Sequence, residues 1–531
     1  MIGFLLYNAK IHTLDDQHPT ASAIAIDHGR ILAIGDSIKL RTEFAGRLPT
    51  EDLHGQVLLP GLSDAHLHLQ HYALSLDMVD CETITRAECL QRIAERAKST
   101  KPGEWIRGHG WNQNAWQDGI PSADDLDQAA PRNPIYLTHK SLHSAWVNQA
   151  ALKLASLGAS SPDPAGGRLG RTSAGSLDGI LYESAMELVA GVIPQPGVDK
   201  ITQALRQTLP KLWQVGLTGV HDFDRKDCFS ALQILHANGE LKLRVVKSIP
   251  LEDLPYAAGL GLRSGFGDDM LRIGSVKAFM DGALGPQTAA MLAAYEGSGD
   301  NRGLLMMDAE QLFEHAHLAA DSGLSMAVHA IGDRANHEVL EAFLQLRVYE
   351  RKHLDTPSLR HRIEHVQLIH RTDAGRLAAL GIIASMQPIH ATSDMLMADR
   401  YWGERAALSY AWREQLKQGA HLAFGSDAPV ESPNPFLGLH AAVTRRRADG
   451  SPGAEGWNPE QRLSLLEALH GFTTGAAYAA GMENRLGRLS PGFLADLLVL
   501  DKDPFNIPPH ELQFLRPLRT MVDGEWVFRR D

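Results

Sequence analysis

The stretch Leu59–Leu69, LPGLSDAHLHL, sets a proline and a glycine ahead of an apolar run that Asp64, His66 and His68 interrupt at every second position. That spacing is the period of a β-strand, and it sends Asp64, His66 and His68 to one face and Ala65, Leu67 and Leu69 to the other. Two imidazoles on one buried face need partners, because an uncompensated polar group costs about 1–3 kcal/mol. A divalent metal is one such partner; a hydrogen-bonded pair at the end of a core strand is the other. The choice depends on whether similar residues recur along the chain.

Composition narrows the classes. A chain of 531 residues, 44% hydrophobic and 21% charged, can bury a large core and is too long for one small domain. The net charge of −12 argues against nucleic acid as a partner. The only arginine run, Arg445–Arg447, reads as a solvated helix end. Cys81, Cys89 and Cys228 form neither a disulfide framework nor a Cys-x-x-Cys site, which fits a reducing compartment. The N-terminal MIGFLLYNAKIHTL lacks a basic start and a full apolar core of a signal peptide, and no segment approaches the ~20 apolar residues of a membrane span. The expectation is a cytoplasmic protein with no membrane partner.

The two ends of the chain resemble one another. ASAIAIDHGRILAIGD (Ala21–Asp36) and RTMVDGEWVF (Arg519–Phe528) both alternate and turn on a glycine-containing pair, as β-hairpins do, and ADLLVLD (Ala495–Asp501) adds a strand. Residues 1–58 and 486–531 are therefore expected to form one small β-sandwich domain closed by both termini.

Between them, at 59–485, short apolar runs alternate with longer Ala- and Leu-rich amphipathic segments. The runs are VLLPGLSDAHLHL, GLTGVHDFD, LKLRVVKSIP, LRIGSVKAFMDG, LSMAVHAIGD, LRHRIEHVQLI, GIIASMQP and HLAFGSDAP. Eight strands alternating with helices predict an α/β fold, a (β/α)8 TIM barrel. A long insertion, about 74–210, follows the first strand and is expected to lie over the C-terminal mouth, where active sites of such barrels sit.

Metal ligands in a barrel should recur at the C-terminal ends of strands. His66 and His68 end the first run, Lys277 lies in the fourth, His329 ends the fifth, His365 lies in the sixth and Asp427 ends the eighth. Singly, each has a plain explanation as a core or paired residue; Lys277, for one, could pair with Asp281. Jointly they converge on one rim. Nitrogen and oxygen donors of this mix suit Zn²⁺, with Mn²⁺, Fe²⁺ or Co²⁺ as alternatives. A catalytic ion lowers the pKa of its water from about 15.7 to about 7. Asp427 would orient that water, take its proton and hand it to the leaving group.

The set PGLSDAHLHL, VKAFMDGALG, VHAIGDRAN, RIEHVQ, SMQPIHATSD and AFGSDAPVESPNPF, closed by GRLSPGFLADLLVLDKDP and VDGEWVF, resembles the amidohydrolase superfamily over nearly the whole chain. The likeness is to amidohydrolase family 3, the group around N-substituted formamide deformylase. It implies a metal-bearing barrel with a small β-sandwich. The family's His-x-His pair falls on His66 and His68, its strand-four lysine on Lys277, its later histidines on His329 and His365, and its catalytic aspartate on Asp427. It also implies a carbamate on Lys277 bridging two ions, since an ammonium beside two dications is electrostatically untenable. With one ion, Lys277 could remain an amine paired with an acid such as Asp281.

His390, in MQPIHATSD, stands where the resemblance places a substrate-polarising group; its alternative is a capped loop histidine. Trp111 and His143 resemble positions that face the site, although aromatic residues in an insertion commonly form its local core. Ser141 and Leu142 precede His143 where relatives carry Asp or Ser and then Gly. Trp105, Trp111, Trp116 and Trp146 are compatible with an apolar or aromatic substituent on the substrate. Asp124, Asp125 and Asp127 read as a helix N-terminus, and Asp281 and Asp333 as residues that orient ligands or cap loops. The sequence thus predicts a metal-dependent hydrolase of an amide-type C–N bond in a small molecule. An ester or lactone hydrolase, a non-hydrolytic enzyme on the same scaffold and a catalytically silent scaffold are the alternatives. Family habit adds a homodimer.

Overall fold

The structure is a computed structural model, which describes residues 3–113, 116, 119–139, 144–164, 167–354 and 359–530. It divides into two compact units, 1–72 with 201–531, and 73–200.

The first unit holds an eight-stranded parallel sheet in which each strand pairs with the next in the chain. Its strands are β1 (Leu62–Leu67), β2 (Leu217–Asp222), β3 (Arg244–Pro250), β4 (Leu271–Phe279), β5 (Met326–Ala330), β6 (Arg362–His365), β7 (Ile383–Met386) and β8 (Leu422–Phe424). All eight strands predicted from the sequence are present. Closure follows just past β8, where the Asp427 amide donates to His66 O at 2.7 Å and the His68 amide donates to Ala428 O at 2.8 Å. Ser426 reinforces it by donating its amide (3.0 Å) and hydroxyl (2.5 Å) to the Asp64 carboxylate. Gly425 makes the approach feasible, because a Cβ there would lie 2.5 Å from the His66 nitrogen.

Helices follow the strands with the spacing the amphipathic segments predict. One of them, Ala309–Asp321, begins with a reciprocal capping box between Asp308 and Gln311. The longest is Asp333–His353. Among the described residues, no helix is long and apolar enough to cross a membrane.

Both chain ends build the sandwich beside the barrel. A four-stranded sheet runs Arg30–Gly35, Ala23–Asp27, Phe4–Tyr7, Thr50–Asp52; a six-stranded sheet runs Glu525–Arg529, Pro517–Val522, Leu497–Leu500, Val57–Pro60, Lys10–His12, Thr20–Ala21. Leu6, Ile24, Leu58, Leu497 and Met521 are among the side chains of its shared core. The two hairpins turn on His28–Gly29 (φ 47° and 74°) and Asp523–Gly524 (φ 53° and 75°), the two successive positive φ values of a type I′ turn. The run read as a single first strand is in fact two: Val57–Pro60 belongs to the sandwich, and β1 begins at Leu62. Gly61 separates them, and a Cβ there would collide with the Thr218 side chain on β2. A buried bidentate pair, Arg244 Nε to Asp496 Oδ2 at 2.7 Å and Nη2 to Oδ1 at 2.8 Å, ties β3 to the sandwich.

The second unit has its own mixed six-stranded sheet, ordered Gly167–Arg171, Leu177–Glu183, Ser144–Val147, Ile135–His139, Ile106–Trp111, Val79–Asp80. The Asp124–Asp127 segment starts the helix Ala123–Ala129, with Ser122 and Asp125 forming its capping box, as the acidic pattern predicts. Cys81, Cys89 and Cys228 are all free and buried.

The Arg445–Arg447 reading needs correction at its first residue. Arg445 caps a helix end, Pro435–Thr444, in a left-handed conformation (φ 56°), but it is fully buried. Its guanidinium lies 4.4 Å from the Trp412 ring and 4.8 Å from the Trp457 ring and donates to Trp457 O and Tyr410 O. Two indole faces and two carbonyls replace the water that a charge run normally keeps.

Candidate metal centre

The C-terminal ends of the strands gather His66, His68, Lys277, His329, His365 and Asp427, with His390 joining from the first turn of the helix Pro388–Trp402 after β7. His66 lies inside β1 and His68 one residue beyond it, so the alternation read from the sequence carries both to the mouth. Alternation would send His365 to the face opposite Arg362 and Glu364. Its φ of 76° ends β6 and turns the ring inward, and Asp427 has a φ of 61° just past β8. Non-glycine residues held in the left-handed region are uncommon, and such strain concentrates at functional sites.

Asp427 is the hub. Its Oδ1 lies 3.6 Å from His66 Nε2 and 3.5 Å from His68 Nε2, and its Oδ2 lies 4.0 Å from His390 Nε2. These separations are too long for good hydrogen bonds. They match the spacing of atoms that each sit about 2 Å from one common ion. Two triads of potential ligand atoms result, His66–His68–Asp427 and His365–His390–Asp427, sharing the carboxylate. Among the described residues, His66 Nε2 and His390 Nε2 are buried without a hydrogen-bond partner, and for His66, whose Nδ1 faces a carboxylate, that is the state expected of an imidazole ligand. The donor set therefore fits a divalent metal on geometry and on an unsatisfied lone pair.

The remaining ring nitrogens are held from outside. His66 Nδ1 is 2.5 Å from Glu364 Oε2, with both side chains fully buried, and Glu364 is itself paired with Arg362. His365 Nδ1 is 2.8 Å from Gln387 Oε1, and His390 Nδ1 is 3.3 Å from Gln367 Nε2. His329 joins neither triad. Its ring packs 4.6 Å from that of His365, and its Nε2 is 2.9 Å from Gly282 O and 3.5 Å from Asp281 Oδ1. Lys277 Nζ sits 4.6 Å from the Phe223 ring and 5.0 Å from that of Phe279. Asp281 is not its partner: that carboxylate accepts the amides of Ala290, Ile331 and Gly332, and Asp333 accepts the Leu292 amide. Both act as loop caps.

Burial sets the protonation of the cluster. It holds His66 and His365 well below the ordinary imidazole value and His329 at about 3, so all three are neutral lone-pair donors at neutral pH. It lowers Lys277 to about 8, against the pull of Glu364 and Asp427. It raises Asp427, against the stabilising charges of His390, His68 and Lys277.

Trp111 lies in the second unit, 2% exposed, with Nε1 donating to Leu137 O at 2.9 Å and its ring against Trp116, Trp146 and His139. It stands as the local-core residue that the alternative reading describes, and Trp116 and Trp146 share that core. His143 lies outside the described residues. Sequence reasoning missed Glu364, Arg362, Gln367 and Gln387. Their signal was present in the two-residue spacing of Arg362 and Glu364 on one face of β6, a charged pair where a barrel core should be apolar.

The chain is similar to several known proteins over nearly its whole length. N-substituted formamide deformylase of Arthrobacter pascens is 28% identical over 100% of this chain and 99% of its own. Protein LONG AFTER FAR-RED 3 of Arabidopsis thaliana is 33% identical over 94% of this chain and 88% of its own. The solved structure of an uncharacterized metal-dependent hydrolase from Pyrococcus horikoshii superposes with a TM-score of 0.81 at 28% identity, covering 96% of this chain and 99% of that one. The family model described as the amidohydrolase family matches residues 50–528, and the chain belongs to the amidohydrolase family.

Proposed function

We propose that the protein hydrolyses an amide-type C–N bond, other than a peptide bond in a protein, in a small molecule, with Asp427 as the general base and then the general acid. The observation that carries the reading is the shared carboxylate: one buried aspartate faces two pairs of histidines, and among the described residues one nitrogen of each pair, His66 Nε2 and His390 Nε2, is buried without a hydrogen-bond partner. A divalent ion, with zinc the first choice for this donor set, supplies Lewis acidity to a water molecule and to the substrate oxygen when bound. His66, His68 and Asp427 would hold it, with His329, His365 and Lys277 completing the set for one or two ions.

The chain's own residues supply the rest. Asp427, raised by burial, takes the proton of the attacking water on a carboxylate oxygen and delivers it to the departing nitrogen, so that amide and water become carboxylic acid and amine. His390, whose Nε2 lies 4.0 Å from the same carboxylate, polarises the substrate carbonyl in this reading. Glu364 fixes His66 through Nδ1. Lys277, lowered to about 8, has an appreciable share of free amine near neutrality, the form that takes up carbon dioxide to give the carbamate expected of a two-ion site. A cytoplasmic enzyme with a small-molecule substrate, working as a homodimer, completes the reading.

The test is a panel of matched N-substituted amides, esters and lactones offered to the zinc-loaded protein. Turnover of amides in preference to esters supports the assignment. Preference for esters or lactones moves it to another bond, and inactivity throughout favours a silent scaffold.

A further inference from the structure

Strand β2 supplies none of the residues assigned above to the Asp427 centre, yet the segment His221–Asp224 at its end touches both histidines of the His-x-His pair. Phe223 stacks on the His66 ring at 4.1 Å. His221 Nδ1 takes a hydrogen bond from Arg362 Nη1 at 2.8 Å, and Arg362 holds the Glu364 that holds His66. The two aspartates grip the chain that follows His68. Asp222 Oδ1 accepts the Leu69 amide at 2.9 Å, and Asp224 Oδ2 accepts the amides of Gln70 at 2.5 Å and His71 at 3.4 Å. The other Asp224 oxygen, Oδ1, lies 3.3 Å from His68 Nδ1 and 2.5 Å from His71 Nδ1. Beneath them Lys247 Nζ pairs with Asp222 Oδ2 at 3.0 Å and donates to the carbonyls of Asp224 and Ser248, which places an internal cation under the two acids.

We propose that Asp224 is the positioning residue of His68. It accepts the Nδ1 proton and so leaves Nε2, 3.5 Å from Asp427 Oδ1, as the lone-pair donor. A neutral imidazole has one N–H and one lone pair, and an acceptor at one nitrogen fixes the other as the ligand. The acceptor has to be a fully buried carboxylate because its four donors come from three residues of the turn after β1, and a neutral amide cannot accept on both of its atoms. His68 is the more exposed of the pair, with 26% of its side chain open against none for His66, so it depends more on this one contact.

The inference rests on reading the centre as a metal site, and the experiment separates the two. Zinc affinity is measured by competition with a chromophoric chelator for the wild type, Asp224→Asn, His71→Ala, His68→Ala and the Asp224→Asn/His68→Ala pair. The asparagine oxygen can keep the Gln70 and His71 amides, which turns its NH₂ toward His68 Nδ1 and drives the proton onto Nε2. Zinc affinity should then fall about 10–100-fold. His71→Ala removes the competing donor alone and should leave affinity within about twofold. In the His68→Ala background Asp224→Asn should add nothing, because the residue acts through His68, whereas a general structural role would be additive. Should Asp224→Asn not fold, Asp224→Ser, which keeps a hydroxyl for the Gln70 amide, gives the same readout. Wild-type affinity in either Asp224 variant, a loss in His71→Ala equal to that in Asp224→Asn, or full additivity in the double variant overturns the inference. A wild type that binds no zinc overturns the metal reading itself.

Discussion

Replacing Glu364 by Gln isolates the contact that orients His66, and the structure sets the size of the effect. The glutamate is fully buried; it accepts two hydrogen bonds from Arg362, including Nη2 to Oε2 at 2.9 Å, and one contact from His66 Nδ1 at 2.5 Å. Unpairing a buried guanidinium costs about 3–5 kcal/mol. Arg362 would keep Ala65 O at 2.7 Å, the Ser385 hydroxyl at 2.5 Å and His221 Nδ1 at 2.8 Å, so the loss belongs at the low end, about 3 kcal/mol. It is read as the shift in urea unfolding of the metal-free protein at pH 7, which removes zinc from the comparison. The pH dependence gives a second check. Burial raises the Glu364 carboxyl, but Arg362 and Lys277 outweigh it and hold it below the ordinary value of 4.5. The unfolded chain therefore binds this proton more readily, and the pair's contribution is present above pH 4.5 and lost as pH falls through the lower folded value. The gap between wild type and Glu364→Gln should be full at pH 7 and narrow below pH 4.5. A difference under about 0.5 kcal/mol at pH 7, the size of an ordinary surface substitution, would refute the reasoning.

Other substitutions probe separate parts of the account. Asp427→Asn should cut kcat by at least about 10²–10⁴-fold, the usual worth of general acid–base catalysis, while the protein retains metal by elemental analysis; full activity would remove the assigned role. Gly425→Ala sets a Cβ 2.5 Å from the His66 amide and 2.6 Å from Asp64 Oδ1, so it should force β8 from β1 and lower both the melting temperature and the zinc content. Arg445→Met leaves the Trp457 and Tyr410 carbonyls without their donor and should cost about 2–4 kcal/mol with zinc affinity unchanged; a solvated helix-end arginine would cost under about 0.5 kcal/mol. Lys277→Met should abolish any dependence of the metal stoichiometry on dissolved carbon dioxide, and an unchanged dependence would exclude the carbamate.

What the sequence displayed well was periodic. Eight apolar runs named the eight strands, and the His28–Gly29 and Asp523–Gly524 pairs named the hairpins, because both signals are local: a two-residue period and a left-handed turn. Strand-end positions likewise led to His66, His68, His365 and Asp427. The failures come where partners distant in sequence decide. Arg445 reads as a surface charge until Trp412 and Trp457 enclose it. Val57–Pro60 reads as continuous with β1 until Leu497–Leu500 pairs with it and draws it into the sandwich. Glu364 went unread because its role depends on His66, 298 residues away.

The central claim is that the strand ends form a metal centre, and the direct measurement is metal content per chain on purified protein by elemental mass spectrometry, beside a His66→Ala/His68→Ala variant. The account predicts one or two divalent ions per wild-type chain, with loss in the variant. Absence of metal from the wild type after reconstitution, or equal metal in the two proteins, would contradict it.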